Sequence, residues 1–180
     1  KRSIVFLVVV CCMLFVQQLT AQQLSPTDEG SSIQFSIKNF GLSTKGSFAG
    51  LSGKITYNPA DPLHASFDVH IAANSINTGN NSRDRHLRGD GYFDVENFPQ
   101  ITIKSENITS GSQGGSYILH GTLSIRKNKK KIALPFTIQP AGSGFIFEGS
   151  ITINRLDYKV GSSSISLADN ATVYLKVFAK

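Results

Sequence analysis

Between Arg83 and Arg88 the chain reads Arg-Asp-Arg-His-Leu-Arg, a dense run of side chains able to do chemistry. Guanidinium groups grip phosphate or carboxylate oxygens through paired hydrogen bonds, and an imidazole can donate or accept beside them. Asn80-Asn81-Ser82 before the run, and Gly89 or Gly91 after it, are cap residues for a short helix. Two readings of the cluster stand side by side. Arg83, His86 and Arg88 can hold a polar head group at the end of a cavity. Alternatively, Asp84 and Arg88, four apart, can pair along one helical face while Leu87 plugs what lies beneath.

The other candidates are weaker. His64, Asp68 and His70 share one face of a strand by period two, but His64 and His70 would stand about 20 Å apart at full extension. One metal ion cannot bridge that gap, and no metal site is expected. Arg126 to Lys131 carries five basic residues in six positions. This run is either a solvated hairpin turn or a patch that meets anionic lipid, giving transient contact with a membrane surface. There is no G-x-S-x-G elbow, P-loop or H-E-x-x-H motif. No nucleophile, base and acid assemble into a catalytic set, so a binding protein without a covalent cofactor is expected rather than an enzyme.

The start of the chain is a different kind of sequence. Lys1 and Arg2 precede an apolar run from Ile4 to Val16, and a short polar stretch ends at Ala21. That is the layout of a secretory signal peptide, with cleavage expected after Ala21 and an exported product, periplasmic or secreted. Thirteen apolar residues fall short of the roughly 20 that a spanning helix needs. The absence of an initiating Met is expected of numbering that begins one residue into the gene product. Cys11, Cys12 and Met13 all lie within the apolar run, so the mature chain would carry no thiol or disulfide. A lipid-bearing cysteine fits less well, because Val8 to Val10 precede Cys11 where a small residue is wanted. The 18 Lys and Arg against 12 Asp and Glu give a formal charge of +6, which falls to +4 without Lys1 and Arg2. This mild basic balance gives no reason to expect a nucleic-acid partner.

The elements that would position these residues are strands. Ile33, Phe35 and Ile37 alternate with polar neighbours, as do Ala65, Phe67, Val69 and Ile71. The same period runs through Tyr117 to Ile125, Ile132 to Ile138, Phe145 to Ile153 and Val173 to Val177. Strict alternation marks half-buried strands. Lys45 to Tyr57 and Ile101 to Ile108 bring the count to eight, with turn-forming clusters between them. Gly50 and Gly53 predict a bulge or bend midway along the thirteen-residue run. Residues 22–30 read as a polar tail, and residues 31–180 as one domain. The expected fold is all-β: an extended, lipocalin-like, eight-stranded antiparallel barrel with one short helix near residues 80–89. Eight strands leave an interior that is either packed or able to hold one small ligand, and a tall narrow barrel favours a long thin guest. A two-sheet sandwich with a dry core is the competing architecture.

Several stretches then resemble one family throughout the domain. Ser75-Ile76-Asn77-Thr78-Gly79, Arg83 to Arg88, Tyr92-Phe93-Asp94-Val95 and Phe98-Pro99 resemble the S-I-x-T-G, R-D-x-H-L-R, F-F-D-V and Y-P-x-I-x-F signatures of the YceI-like family. Phe35 to Lys38 with Phe40 to Ser43 resembles its opening strand, and Gly46-Ser47-Phe48 the next. Gly121 to Arg126 and Ile153 to Tyr158 with Gly161 are similar to its G-x-L-x-I-x-G and I-x-R-x-x-F/Y-G segments. Where the family has a Gly-Val-Thr-Lys turn, this chain has Lys127 to Lys131, which leaves any docking role of that loop open.

The resemblance implies an extended barrel, generally exported by bacteria, that encloses a polyisoprenoid or quinone-like chain. The inward apolar residues would then line a channel: Phe35, Ile37, Phe48, Ile55, Phe67, Val69, Ile101, Ile103, Leu119, Leu123, Phe136, Phe147 and Ile151. Periodicity alone equally allows them to fill a core. Each buried five-carbon isoprene unit is worth roughly 4 kcal/mol before ordering costs. An isoprenoid lipid is therefore the expected partner. Beside it stand a quinone-type carrier in electron transfer or stress protection, and a structural domain with a filled core.

Overall fold

The computed structural model describes residues 21–180. The leader expected over residues 1–21 lies, apart from Ala21, outside the described residues. The strands are β1 (Gln22–Leu24), β2 (Pro26–Asn39), β3 (Leu42–Phe48), β4 (Ser52–Tyr57), β5 (Ser66–Ala72), β6 (Gln100–Ser110), β7 (Ser116–Ile125), β8 (Asn128–Ala141), β9 (Gly144–Asn154) and β10 (Leu167–Ala179). One helix, α1 (Asn81–Arg88), lies between β5 and β6. The strands form a single antiparallel sheet in the order β1-β4-β5-β6-β7-β8-β9-β10-β2-β3.

The two ends of that order belong to one long hairpin. Only Ser25 separates β1 from β2, and only Ala49 to Leu51 separate β3 from β4. Gln22 pairs with Tyr57 at one end of this hairpin and Asn39 with Leu42 at the other. The sheet therefore curls on itself into a barrel-like wall.

The described residues hold ten strands, where alternation predicts eight, and both differences have a local cause. The run from Lys45 to Tyr57 breaks at the expected bend. Gly50 takes φ +73°, and a Cβ there would sit 2.6 Å from that of Ala72. The chain thus crosses against β5 where only glycine fits. The backbone groups freed by this break are taken up by side chains. The Asp28 carboxylate accepts from the Gly50 and Leu51 N–H groups at 2.9 Å, and Ser75 Oγ accepts from that of Ala49 at 2.8 Å.

The second difference is residues 22–30, which form β1 and the first part of β2 instead of a polar tail. Their apolar content is two side chains, Leu24 and Pro26, both buried. Backbone pairing does the rest: Leu24 lies opposite Ile55, Pro26 opposite Ala179, and Ser25 exchanges two hydrogen bonds with Lys180.

Helix α1 begins where alternation stops. The Asn80 side chain accepts from the Arg83 N–H at 3.0 Å and the Gly89 N–H returns to the His86 carbonyl, so both ends are capped.

The interior is not uniform along its axis. At the end holding β1, aromatic rings meet in the middle of the barrel. Phe67 packs against Phe136 and Phe147 at centroid separations of 5.5 and 5.3 Å, and Tyr57 against Phe145 and Phe147 at 4.8 and 5.6 Å. These contacts are edge-to-face, the favoured geometry for packed rings. At the end holding α1, the wall carries mostly aliphatic side chains.

Candidate ligand-binding cavity

Inward positions on seven strands shape the aliphatic end, with Phe48 on β3, Ile71 on β5 and at least two apolar side chains on each of the other five. β2 supplies Ile33, Phe35 and Ile37, β6 Ile101 and Ile103, β7 Leu123 and Ile125, β9 Ile151 and Ile153, and β10 Val173 and Leu175. Branched aliphatic side chains are too short to meet across the axis, so they enclose a cavity of about 560 Å³. Leu87 of α1, with Tyr92 and Phe93 from the loop that follows, covers one side of it. Its mouth is lined by Asn39 and Phe40 at the β2–β3 turn and by serines 162, 163, 164 and 166 before β10. The size and apolar walls are those of a site for a small apolar ligand. A second void of about 90 Å³ lies further in, and Ile33, Ile71, Ile101, Ile103 and Leu175 border both.

The residues expected to line a channel divide between the two regions. Phe35, Ile37, Phe48, Ile101, Ile103, Leu123 and Ile151 face the large cavity. Val69, with Ile101 and Ile103, borders the small void. Ile55, Phe67, Leu119, Phe136 and Phe147 are buried in the packed core and reach only the wall of the small void. A shared strand face thus does not give a shared role: what stands across the axis decides whether opposite walls meet.

The basic cluster divides as well. Arg83 and His86 lie on the cavity wall. Arg83 Nε donates to Thr78 Oγ1 at 2.8 Å and Nη2 to the Thr78 carbonyl at 2.9 Å. The His86 ring tilts over Tyr92 at 4.9 Å between centroids. Arg88 lies outside the cavity lining, its Nε and Nη2 bound to the carbonyls of Asn74 and Ile76. The helical Asp84–Arg88 pair does not form. Asp84 is only 4% exposed and accepts from the Thr78 N–H and hydroxyl. Both side chains are spent fastening α1 to the 74–78 segment, where unpaired carbonyl and N–H groups compete for them.

Arg155 carries a role that spacing did not reveal. Only 5% exposed, it lies on the cavity wall and donates to the carbonyls of Ala168 (2.9 Å), Val160 (3.0 Å) and Leu167 (3.3 Å), and to Asp169 Oδ1 at 3.3 Å. It thereby holds the serine-rich loop at the mouth. Its only signal in the sequence was the arginine of the I-x-R-x-x-F/Y-G resemblance. Next to it, burial pushes the Tyr158 hydroxyl up to about 12, with the neighbouring Asp157 charge adding to the effect.

The remaining candidates lie outside the large cavity. His64 pairs with Asp61 at 2.8 Å, whose hydrogen bond raises its pKa, and His70 Nε2 lies 3.8 Å from Asp68. Among the described residues no three His, Cys, Asp or Glu side chains cluster as a metal site would need. In the basic turn, Arg126 at φ +54° donates to the Lys159 carbonyl at 2.6 Å and lies 3.6 Å from Asp94. Lys130 faces Asp157 at 3.9 Å, and Lys131 pairs with Glu106, holding that carboxyl below its usual range.

A YceI-like domain model matches residues 24–179. The chain belongs to the YceI-like family. A UPF0312 protein of Yersinia pestis (strain Pestoides F) is 33% identical over 112 residues, 62% of this chain. The aligned part is 57% of that protein, so this YceI-like chain matches a little over half the length of its curated relative. Among solved structures, the Campylobacter jejuni YceI protein is 28% identical with a TM-score of 0.65, over 76% of this chain and 85% of that one. BcnA of Burkholderia cenocepacia shares the fold with a TM-score of 0.80 at 23% identity, covering 86% and 99% of the two chains. A polyisoprenoid binding domain from Saccharophagus degradans shares it with a TM-score of 0.69 at 15% identity, covering 87% and 97%.

Proposed function

We propose that this protein is an exported carrier that holds a long apolar molecule, a polyisoprenoid or related lipid, inside its barrel, and that it binds rather than catalyses. The observation that carries this reading is the 560 Å³ cavity walled by isoleucine, valine and phenylalanine. An apolar void of that size is unfavourable to leave without contacts and favourable to fill with a hydrocarbon. Family membership supports lipid binding, and the fold is also that of a solved polyisoprenoid binding domain. Export rests on the leader-like pattern of Lys1 to Ala21.

The guest's tail lies along Ile33, Ile101, Ile103 and Leu175 and stops at the Phe67–Phe136–Phe147 cluster. Arg83 and His86, the two members of the basic cluster on the cavity wall, are placed to meet a phosphate or carbonyl head group. A carbonyl head would make the guest quinone-like and the protein a quinone-type carrier. Organic extraction of the protein purified from a bacterial host, followed by mass spectrometry, tests the proposal. A long isoprenoid is expected at near one per chain, and its mass separates an alcohol or phosphate from a quinone. Protein that comes out empty and takes up no added prenol would overturn the reading.

A further inference from the structure

We infer that the rim of the cavity mouth, built by the β2–β3 turn and the serine-rich loop before β10, is an edge that docks on an anionic lipid bilayer. The inference depends on the lipid-carrier reading only for its purpose. Of the five large apolar side chains exposed among the described residues, three gather here: Phe40 and Leu42 are 80% and 76% exposed, and Ile165 is fully so. The two loops form one edge, because the Phe40 N–H donates to the Ser166 carbonyl at 2.7 Å and Asn39 pairs with Leu167. Ser164 Oγ accepts from the Ser166 and Leu167 N–H groups and holds the second loop in shape.

Phe40 is an unexpected residue to find there. It and Gly41 take φ of +49° and +75°, the conformation of a two-residue hairpin turn that favours Asn, Asp or Gly at its first position. A bulky aromatic with positive φ is uncommon and strained. Burial does not repay that strain, since the ring points mostly to solvent. A ring held out at the tip is explained if it enters an apolar medium that the free protein lacks.

Charge and continuity indicate which medium. Lys38 and Lys45 project from the outer face of the same hairpin, exposed, and neither is ion-paired among the described residues. Cations beside an apolar tip complement a surface of anionic head groups. Asp169, the carboxylate that shares a surface groove with Lys38, is turned to Arg155. Phe40 also lines the cavity, so a tip seated in the head-group layer opens the cavity onto the bilayer. The lysine-rich turn lacks an apolar member, and two of its lysines are committed to Asp157 and Glu106.

The chain contains no tryptophan, which makes a direct test possible. Phe40→Trp places a single indole at the tip, and Tyr174→Trp places one on the outer wall, where Tyr174 is also exposed. With vesicles of phosphatidylethanolamine and phosphatidylglycerol, emission of F40W should move to shorter wavelength and be quenched by brominated chains, while that of Y174W should not. Replacing Phe40, Leu42 and Ile165 together by Ser should weaken vesicle flotation at least about a hundredfold. Replacing Lys38 or Lys45 by Ser should cost about fivefold each at low salt. The inference is overturned if F40W does not respond to vesicles, if Y174W responds equally, or if the shift follows protein concentration without vesicles, which would mark self-association. Extraction of the same samples keeps the two readings apart. Lipid in the cavity without flotation sinks the docking edge alone; flotation of an always empty barrel sinks the carrier alone.

Discussion

The two ends of this barrel are made from the same alternating strands, yet one is full and the other hollow. At the β1 end, Tyr57, Phe67, Phe136, Phe145 and Phe147 reach the axis and touch edge to face. At the α1 end, the equivalent positions carry Ile101, Ile103, Ile151, Ile153 and Val173, and their side chains leave the axis empty. The filled end needs little besides its rings. The hollow end needs a covering helix, tethered through Asp84, Arg83 and Arg88, and a mouth loop tethered by Arg155. Packing stabilises one half, while buried polar contacts keep the other from collapsing.

The largest test of this contrast is a pair of truncations. Phe67→Ala should cost about 3–5 kcal/mol of stability in urea unfolding of lipid-free protein, whereas Phe35→Ala, whose ring already borders a void, should cost less than about 2 kcal/mol. Equal losses would mean that the α1 end is packed as tightly as the other. Arg155→Ala comes next, at about 3 kcal/mol, because it leaves buried carbonyls without donors. Lysine at the same position should not restore the loss, since one ammonium lacks the fork that serves several carbonyls. Filling the hollow end should act in the opposite direction. Ile151→Phe should raise the stability of the lipid-free protein by about 1 kcal/mol and lower its extractable lipid; a variant that is more stable and equally loaded would move the ligand elsewhere.

The smallest effect is confined to alkaline pH. The Tyr158 hydroxyl has a folded pKa of about 12, raised from 10.0 by burial, so the unfolded chain loses this proton first. Its contribution is therefore complete below pH 10 and is lost as pH rises from 10 through about 12. Tyr158→Phe should flatten that part of a stability–pH profile and leave the neutral region nearly unchanged.

The strands and the helix were legible because their signals are local. Period two marks the half-buried faces, and Asn80 with Gly89 marks the caps of α1. The division into ten strands was less so. Residues 22–30 have almost no alternation, and their strand depends on partners at Ile55 and Ala179 far along the chain. The hollow was illegible for the same reason. Phe67 and Ile103 occupy inward positions on β5 and β6 and look alike as a pattern, and only the residues across the axis decide which one closes the gap. Arg88 and Asp84 show the limit of helical spacing: four residues apart, they still found better partners in the 74–78 segment. Phe40, Leu42 and Ile165 read as ordinary apolar residues until the fold left them outside.

The place of β10 in the sheet has a consequence for the order of assembly. It lies between β9 and β2, so that Ala179 pairs with both Phe145 and Pro26. Its neighbours on one side are close in sequence, and those on the other lie at the opposite extreme of the domain. The strands from β5 to β10 are joined in succession and can zip up locally. Closing the wall against β2 brings together residues at opposite extremes of the domain, a contact of high sequence separation and the kind of step that makes β-rich proteins slow to fold. Until that seam closes, the aliphatic trough is open along its whole length as well as at its mouth. A folding measurement would therefore see sheet content rise before the cavity becomes able to retain a guest.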